Sequence, residues 1–533
     1  MFRVLVTDDV DQEGLALLAA EPLLQVDEVP TLPKDELLAR IPDYDAIVGR
    51  SATRISAELL KAGTKLKVIG RAGVGVDNVA IDVATALGIA VINAPAGNTV
   101  AVAELFFGAT IGLLRQLPRA QQVMENGRWD RNSFLGRELK GKTLGIVGLG
   151  RIGSEVATRA HAFGMTVVAY DPYIADERFT ALRVRRAPSL DALLAETNVL
   201  TLHVPLTDET RGMIGKRELA RLPNRSVVVN MARGGIVDEA ALLAALQGDQ
   251  LRGAVLDVYE AEPLAADSPL RSAPNLILLP HLGANTVEAQ RNVSRDVCLA
   301  VRDALLRNDL SKSINVAGGA GEWGDLQPAM LVVRRAAAVA RAVLADQGMR
   351  AVRRVALRVS PDLAHGTGAL LAAAAAGVLE GVIETDRLNL INARSLAETR
   401  GLELSVGESH ELGARTIEVA LAGGMQQLAV TGTAPEGGTP RLTQIGSFHI
   451  DVNPRQTLLI LTNHDVPGVI GRVGTLLGEQ HVNIAEYHQA RLAQGGDALA
   501  AVSVDGEVSE VTRKALLELP DVLTASVVQF RDE

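Results

Sequence analysis

The segment Gly148-Leu149-Gly150-Arg151-Ile152-Gly153 directly follows a short apolar run, Thr143 to Val147; about twenty residues later a second run, Thr166 to Tyr170, ends in Asp171. This order of signals restricts the chain to a strand–turn–helix–strand unit. Gly148 permits the tight turn, Gly150 lets the backbone approach a pyrophosphate, and Gly153 lets helix and strand pack closely. The helix starting near Arg151 offers its positive N-terminus to that pyrophosphate. Asp171 stands where a ribose needs an acceptor, which a mere glycine-rich turn would leave unexplained. The pattern implies a nicotinamide dinucleotide. Asp171 is followed by Pro172, and no arginine comes before Arg178, so NAD is expected rather than its 2′-phosphorylated form.

At 533 residues the chain is too long for one hydrophobic core, so several domains are expected. With 47% hydrophobic and 22% charged residues it belongs to the globular class. Only 3% is aromatic and the formal charge is −10, which argues against nucleic acid or an anionic membrane as a main partner. The single cysteine, Cys298, excludes an intrachain disulfide and suits a reducing compartment. It lies in a helical pattern, Asn292–Leu306, and reads as a packing thiol. Asp8-Asp9 arrive before any apolar segment long enough for a signal peptide. The most apolar stretch, Ala369 to Leu379, is too short to span a bilayer. A cytoplasmic protein is expected, and no His/Cys/Asp spacing suggests a metal site.

The first hundred residues alternate apolar strands (Phe2–Thr7, Ala46–Val48, Lys67–Gly70, Ala90–Asn93) with helical patterns such as Glu13–Ala20 and Ala57–Ala62, which predicts a parallel α/β unit. A helix over Val100–Leu117 leads into the dinucleotide fold, whose further strands end at Asp171, His203, Asn230, Asp257 and Pro280. A helix over Asn285–Asn308 returns the chain to the first unit. The first lobe is therefore predicted to be discontinuous, 1–98 with 285–315, around a dinucleotide lobe of 99–284. Ala317-Gly318-Gly319-Ala320-Gly321 reads as a flexible linker. An α+β unit, 317–452, and a final βαββαβ unit of ferredoxin-like order, 454–533, follow it.

Three residues lie just beyond strand ends in the second lobe, where open α/β sheets place their ligands. These are Arg233 in Asn230-Met231-Ala232-Arg233-Gly234-Gly235, Glu262 in Asp257-Val258-Tyr259-Glu260-Ala261-Glu262-Pro263, and His281 in Pro280-His281-Leu282-Gly283-Ala284. Oxidation of a 2-hydroxy acid needs a base for the hydroxyl proton, a cation for the carboxylate, and a carboxylate to orient the base. In the first lobe, Arg50-Ser51-Ala52-Thr53-Arg54 offers two guanidinium groups and two hydroxyls suited to a phosphate. Arg71-Ala72-Gly73-Val74-Gly75 is a second glycine-rich loop able to cradle a carboxylate. At the opposite end of the chain the last unit resembles an ACT domain, and that resemblance implies that Asn463, Asp465 and Asn483 converge on the ammonium group of an amino acid.

Together these motifs resemble the D-2-hydroxyacid dehydrogenase family over roughly the first 315 residues. The resemblance implies Arg233 as substrate ligand, His281 as acid/base and Glu262 as its partner. It implies cofactor contacts from Gly148, Gly150, Arg151, Ile152, Gly153, Asp171, Val204, Met231, Ala232, Asp257, His281, Gly283 and Ala284. The substrate set is Arg50, Ser51, Arg54, Gly73, Val74, Gly75, Asn98, Arg131 and Arg233; Trp129 and Arg131 resemble a dimer-arm motif whose arginine reaches a neighbour's site. Arg50-Ser51-Ala52-Thr53, Asn126–Trp129 and the extra C-terminal units are similar to the long branch acting on a phosphorylated glycerate, at the first step toward serine. There 317–452 resembles an intervening domain and 454–533 an ACT domain. The implied effector is L-serine and the implied assembly a homodimer or homotetramer. A glyoxylate/hydroxypyruvate reductase, or a dinucleotide-sensing protein without catalysis, remains an alternative at this point.

Overall fold

The computed structural model describes residues 1–316, 325–349, 351–380, 382 and 387–530; the expected linker Ala317–Gly321 lies outside them. The first lobe is a five-stranded parallel sheet. Its spatial order is Leu24–Glu28, Phe2–Val6, Ala46–Gly49, Val68–Arg71, Ala90–Asn93. Three strands have every residue buried or all but the last, which is why they read as continuous apolar runs. Leu24–Glu28 was not anticipated: it is an edge strand, mostly half-exposed or exposed, with too few apolar residues to stand out.

The helix Val287–Arg307 returns to this sheet as expected. Gly14 and Gly70 make that possible, since a Cβ at Gly14 would press on the Ser294 backbone and one at Gly70 on Val297 and Val301. Cys298 is fully buried in this seam, and burial pushes its thiol up to about 12. It is a packing residue.

The second lobe is a seven-stranded parallel sheet. Thr143–Val147 lies at its centre, flanked on one side by Thr166–Tyr170 and Arg185–Arg186 and on the other by Val199–Leu202, Ser226–Asn230, Leu251–Leu256 and Leu276–Leu278. The strand order reverses beside Thr143–Val147, and the crevice beyond its C-terminal end is where such sheets bind ligands. The single helix expected over Val100–Leu117 is instead two, Thr99–Leu114 and Leu117–Glu125. Gln116 takes a left-handed φ of 55°, and Pro118 in the next first turn cannot continue the earlier helix.

Beyond the linker, helix Gln327–Asp346 packs across a six-stranded mixed sheet. Helix Thr367–Leu379 lies against it, every residue from Ala369 onward buried. A 3₁₀ turn, Pro361–Gly366, extends that helix to a 19-residue apolar run, 72% of whose most apolar part is buried inside the fold. The last sheet is four-stranded and antiparallel, in the order Ile484–Arg491, Asp497–Val504, Thr457–His464, Val522–Gln529, with helices Val469–Glu479 and Glu510–Leu517 between strands in the chain.

Candidate active site

The glycine loop is shaped by what would collide with it. Gly148 has φ 91°, and a Cβ there would stand 2.6 Å from the His203 carbonyl oxygen and 2.8 Å from Val204. A Cβ on Gly153 would strike the Gly148 carbonyl, whereas beside Gly150 there is open space. Gly150 is also the N-cap of helix Arg151–Ala162 and provides no side chain to satisfy its first N–H groups. A phosphate fits that cradle. Asp171 accepts from the Leu149 N–H at 2.9 Å and from the Tyr173 N–H at 3.0 Å, one bond to each oxygen. Arg178, the nearest arginine in sequence, is held on the Ser154 hydroxyl at 3.1 Å. Arg186, from the adjacent strand, reaches the Asp171 carbonyl at 3.3 Å and pairs with Asp176.

Across the sheet, His281 has a left-handed φ of 55°, and its Nδ1 lies 2.8 Å from Oε2 of Glu262. The other Glu262 oxygen accepts the Tyr259 N–H at 3.0 Å. A carboxylate only accepts, so the proton sits on Nδ1 and Nε2 keeps its lone pair. Asp257, expected at the cofactor, has no exposed surface. Its two oxygens accept from Leu282 N–H at 2.7 Å and Gly283 N–H at 2.9 Å. It holds the His281 loop. Burial raises the Asp257 pKa, while the two N–H bonds oppose that shift.

Arg233 donates from Nε to Asp77 at 3.0 Å and from Nη1 to the Ala232 carbonyl at 2.7 Å. The Asn230 side chain ties the Met231–Arg233 turn, donating to the Arg233 carbonyl at 2.9 Å and accepting from Ala232 at 3.1 Å. Gly75 leaves room for Arg233 and Gly73 for Arg71, because a Cβ on either would collide with the guanidinium. Asn93 fixes the Val74 carbonyl at 2.6 Å.

Arg71, which opens the second glycine-rich loop, is a further candidate for the site. It donates to the Ala72 carbonyl at 3.1 Å, and its buried Nε has no partner. Burial pushes its guanidinium down to about 10, with repulsion from Arg233 and then Arg50 adding to the effect. It remains charged at neutral pH, so three cations stand close together, and of these Arg233 is paired with Asp77. Its signal in the sequence was its place at the end of a parallel strand, Val68–Arg71.

The Arg50 backbone is clamped by Asp8, which accepts its N–H at 2.8 Å, and by Asn78, which donates to its carbonyl at 2.9 Å. Ser51 lines a cleft of about 740 Å³ with Glu262, Pro263, Arg271 and His281, so this cleft joins the two lobes. Thr53, the second expected hydroxyl, is buried on Asp8 at 2.6 Å. Arg54 lines a separate crevice with Leu32, Lys34 and Glu58; it is not brought to the cleft. Asn98 precedes helix Thr99–Leu114, with its Oδ1 buried and unpartnered. Arg131 is exposed and makes no ion pair among the described residues, and Trp129 and Leu135 nearby are almost fully exposed.

In the last unit the expected convergence does not occur within one chain. Asn463 donates to the His464 carbonyl at 2.7 Å, and Asp465 is paired with Arg491 at 3.0 Å. Asn483 donates to Asp505 at 2.7 Å. The register Thr457↔Val504 and His464↔Asp497 puts Asn483 beside one end of the sheet and Asp465 at the other. Eight strand residues separate those ends by about 23 Å.

Residues 107–283 match the family model described as "D-isomer specific 2-hydroxyacid dehydrogenase, NAD binding domain". The chain is 38% identical over 526 residues to a D-3-phosphoglycerate dehydrogenase of Synechocystis sp., covering 97% of this chain and 93% of that protein. It is 36% identical to one of Bacillus subtilis, covering 99% of this chain and all of the relative. Among solved structures, a glyoxylate reductase from Paecilomyes thermophila superposes with a TM-score of 0.53 at 33% identity, over 58% of this chain and 96% of that one.

Proposed function

The chain belongs to the D-3-phosphoglycerate dehydrogenase family, and on that premise we propose that its cleft oxidises 3-phospho-D-glycerate to 3-phosphohydroxypyruvate, with His281, Glu262 and three arginines as the working set. It is an NAD-dependent D-2-hydroxyacid dehydrogenase of the serine-biosynthesis family. The observation that carries the assignment of roles is the 2.8 Å bond from Glu262 to His281, beside a cluster of guanidinium groups.

The Gly148–Gly153 loop and Asp171 would hold NAD, which would supply the hydride acceptor for C2 of the substrate. His281 Nε2 takes the hydroxyl proton as that hydride leaves. Glu262 fixes the tautomer beforehand and stabilises the imidazolium afterwards. Arg233 holds the carboxylate and polarises the forming carbonyl, while the N–H groups around Gly73–Gly75 help cradle it. Arg50 and Arg71 take the phosphate, which relieves the repulsion among the three cations. Asn98 faces the substrate; Arg131 serves from a second copy, across the exposed face around Trp129 and Leu135.

The five-stranded order is that of a flavodoxin-like substrate lobe, 1–98 with 285–315, hinged on a Rossmann lobe of 99–284. The units 317–452 and 454–533 are an intervening and an ACT domain. L-serine then binds between two ACT units, where Asn463 and Asp465 of one copy meet Asn483 of another. The opposite-end placement of these residues supports a shared site, and the assembly is a homo-oligomer in the cytoplasm. The test is NADH formation from 3-phospho-D-glycerate beside D-glycerate. Equal catalytic efficiency on the two would overturn the phosphate assignment.

A further inference from the structure

A cavity of about 610 Å³ opens between the middle unit and the last one. Helix Gln327–Asp346 forms one wall with Arg341, and strands Thr457–His464 and Val522–Gln529 form the other. Among the described residues Arg341 has no hydrogen-bond or ion-pair partner, and its Nε is buried without one. Its helix neighbour Arg334, by contrast, is matched to Glu380 through two bonds, at 3.1 and 3.2 Å. Arg341 is half-buried, and an Nε–H shielded from water with no acceptor is a costly arrangement, which an anionic group entering the cavity relieves.

The rest of the lining decides what kind of anion. Glu507 contributes a negative charge, and Gln456 and Gln529 contribute neutral amides that can accept as well as donate. Glu380 is already neutralised by Arg334. One unmatched cation and one unmatched carboxylate suit a ligand bearing both charges, whereas a phosphate dianion would meet Glu507 with only one cation in support.

We propose that this interdomain cavity is a binding site for a free α-amino acid, its carboxylate on Arg341 and its ammonium on Glu507 and the flanking amides. The site is separate from the Asp465 turn. Thr457, on the cavity wall, begins the strand whose far end, His464, leads into that turn. A ligand here joins the middle unit to the last one and so acts on their relative placement.

The test is calorimetric titration of each of the twenty standard amino acids into the full-length Asp465→Asn protein, with propionate and ethylammonium as half-ligands. At least one amino acid binds, both half-ligands bind much more weakly, and adding Arg341→Gln weakens the amino acid by about 10- to 100-fold. Arg341→Lys retains most of the affinity, and the far-UV circular dichroism spectrum stays unchanged in every variant, which shows the chain folded. Absence of binding to Asp465→Asn overturns the site, as does binding that Arg341→Gln leaves intact. Propionate binding as tightly as the amino acid overturns the zwitterion assignment.

Discussion

Glu262 touches His281 with one carboxylate oxygen, 2.8 Å from Nδ1, and its own loop with the other, through the Tyr259 N–H at 3.0 Å. The loop bond fixes the carboxylate, and the carboxylate fixes the ring. Asp257 does the same for the backbone under the histidine. The proton acceptor is thus held from two sides before any substrate arrives, the condition under which positioning lowers a barrier.

His281→Ala is expected to lower the rate of hydride transfer about 10²- to 10⁴-fold while dinucleotide binding stays near wild type. Glu262→Gln should also lower the rate, because an amide can donate to Nδ1 and select the unproductive tautomer. Stopped-flow absorbance of NADH measures both. Transfer at the wild-type rate in folded His281→Ala removes the histidine from the mechanism.

Arg50→Ala and Arg71→Ala should each penalise 3-phospho-D-glycerate far more than D-glycerate, since a charge-assisted bond contributes about 1.5–3 kcal/mol. Arg233→Ala should damage both substrates alike, because both carry the carboxylate. Ratios of kcat/KM for the two substrates separate these outcomes. An equal loss on both for Arg71→Ala would move that residue out of the phosphate site.

Asp171→Ser is expected to reduce the preference for NAD over NADP by about tenfold or more, by removing the charge that repels a 2′-phosphate. Arg186, already 3.3 Å from the Asp171 carbonyl, is placed to meet that phosphate in the variant. The comparison is kcat/KM with the two cofactors, and an unchanged ratio shows that Asp171 does not select.

His203 is half-buried beside the Gly148 turn, its Nδ1 shielded from water without a partner, and burial pulls its imidazole from the usual 6.5 down to about 4. A base whose pKa falls on folding binds more protons unfolded, so its neutral form favours the fold fully above pH 6.5. That advantage is lost progressively as pH drops toward 4, by about 3 kcal/mol in all. Unfolding midpoints of wild type and His203→Gln, followed from pH 7.5 to 4.5, should converge with acidification. Parallel curves would show that His203 does not titrate in this window.

Asp465→Ala should abolish L-serine inhibition without changing uninhibited turnover, because Asp465 lies in the last unit, far along the chain from the cleft. Dilution that separates the copies should have the same effect, since the site as proposed is shared between them. Coupling of about 1–3 kcal/mol corresponds to a 5- to 150-fold change in affinity, and substrate should alter serine affinity by the same factor. Serine inhibition that survives Asp465→Ala places the effector elsewhere.

What the sequence by itself determined was local. Strands such as Thr143–Val147 and Ala90–Asn93, and helix Ala57–Ala62, were legible to the residue because both ends of each are marked by nearby glycine, proline or polar residues. The break at Gln116 was also written locally, in Pro118, although a strong apolar run concealed it. His281, Glu262 and Arg233 were found because each follows a parallel strand, and that position alone points a residue into the crevice. Tertiary structure decided everything that depends on which side chains meet. Thr53 turned inward to Asp8, Arg54 faced another crevice, and Arg71 joined Arg50 and Arg233, although all five stand at similar strand ends. Asn463 and Asn483 look alike in sequence but stand at opposite ends of the strands of one sheet. The reason is physical: backbone preferences act over a few residues, whereas burial, charge and reach depend on neighbours brought from far along the chain.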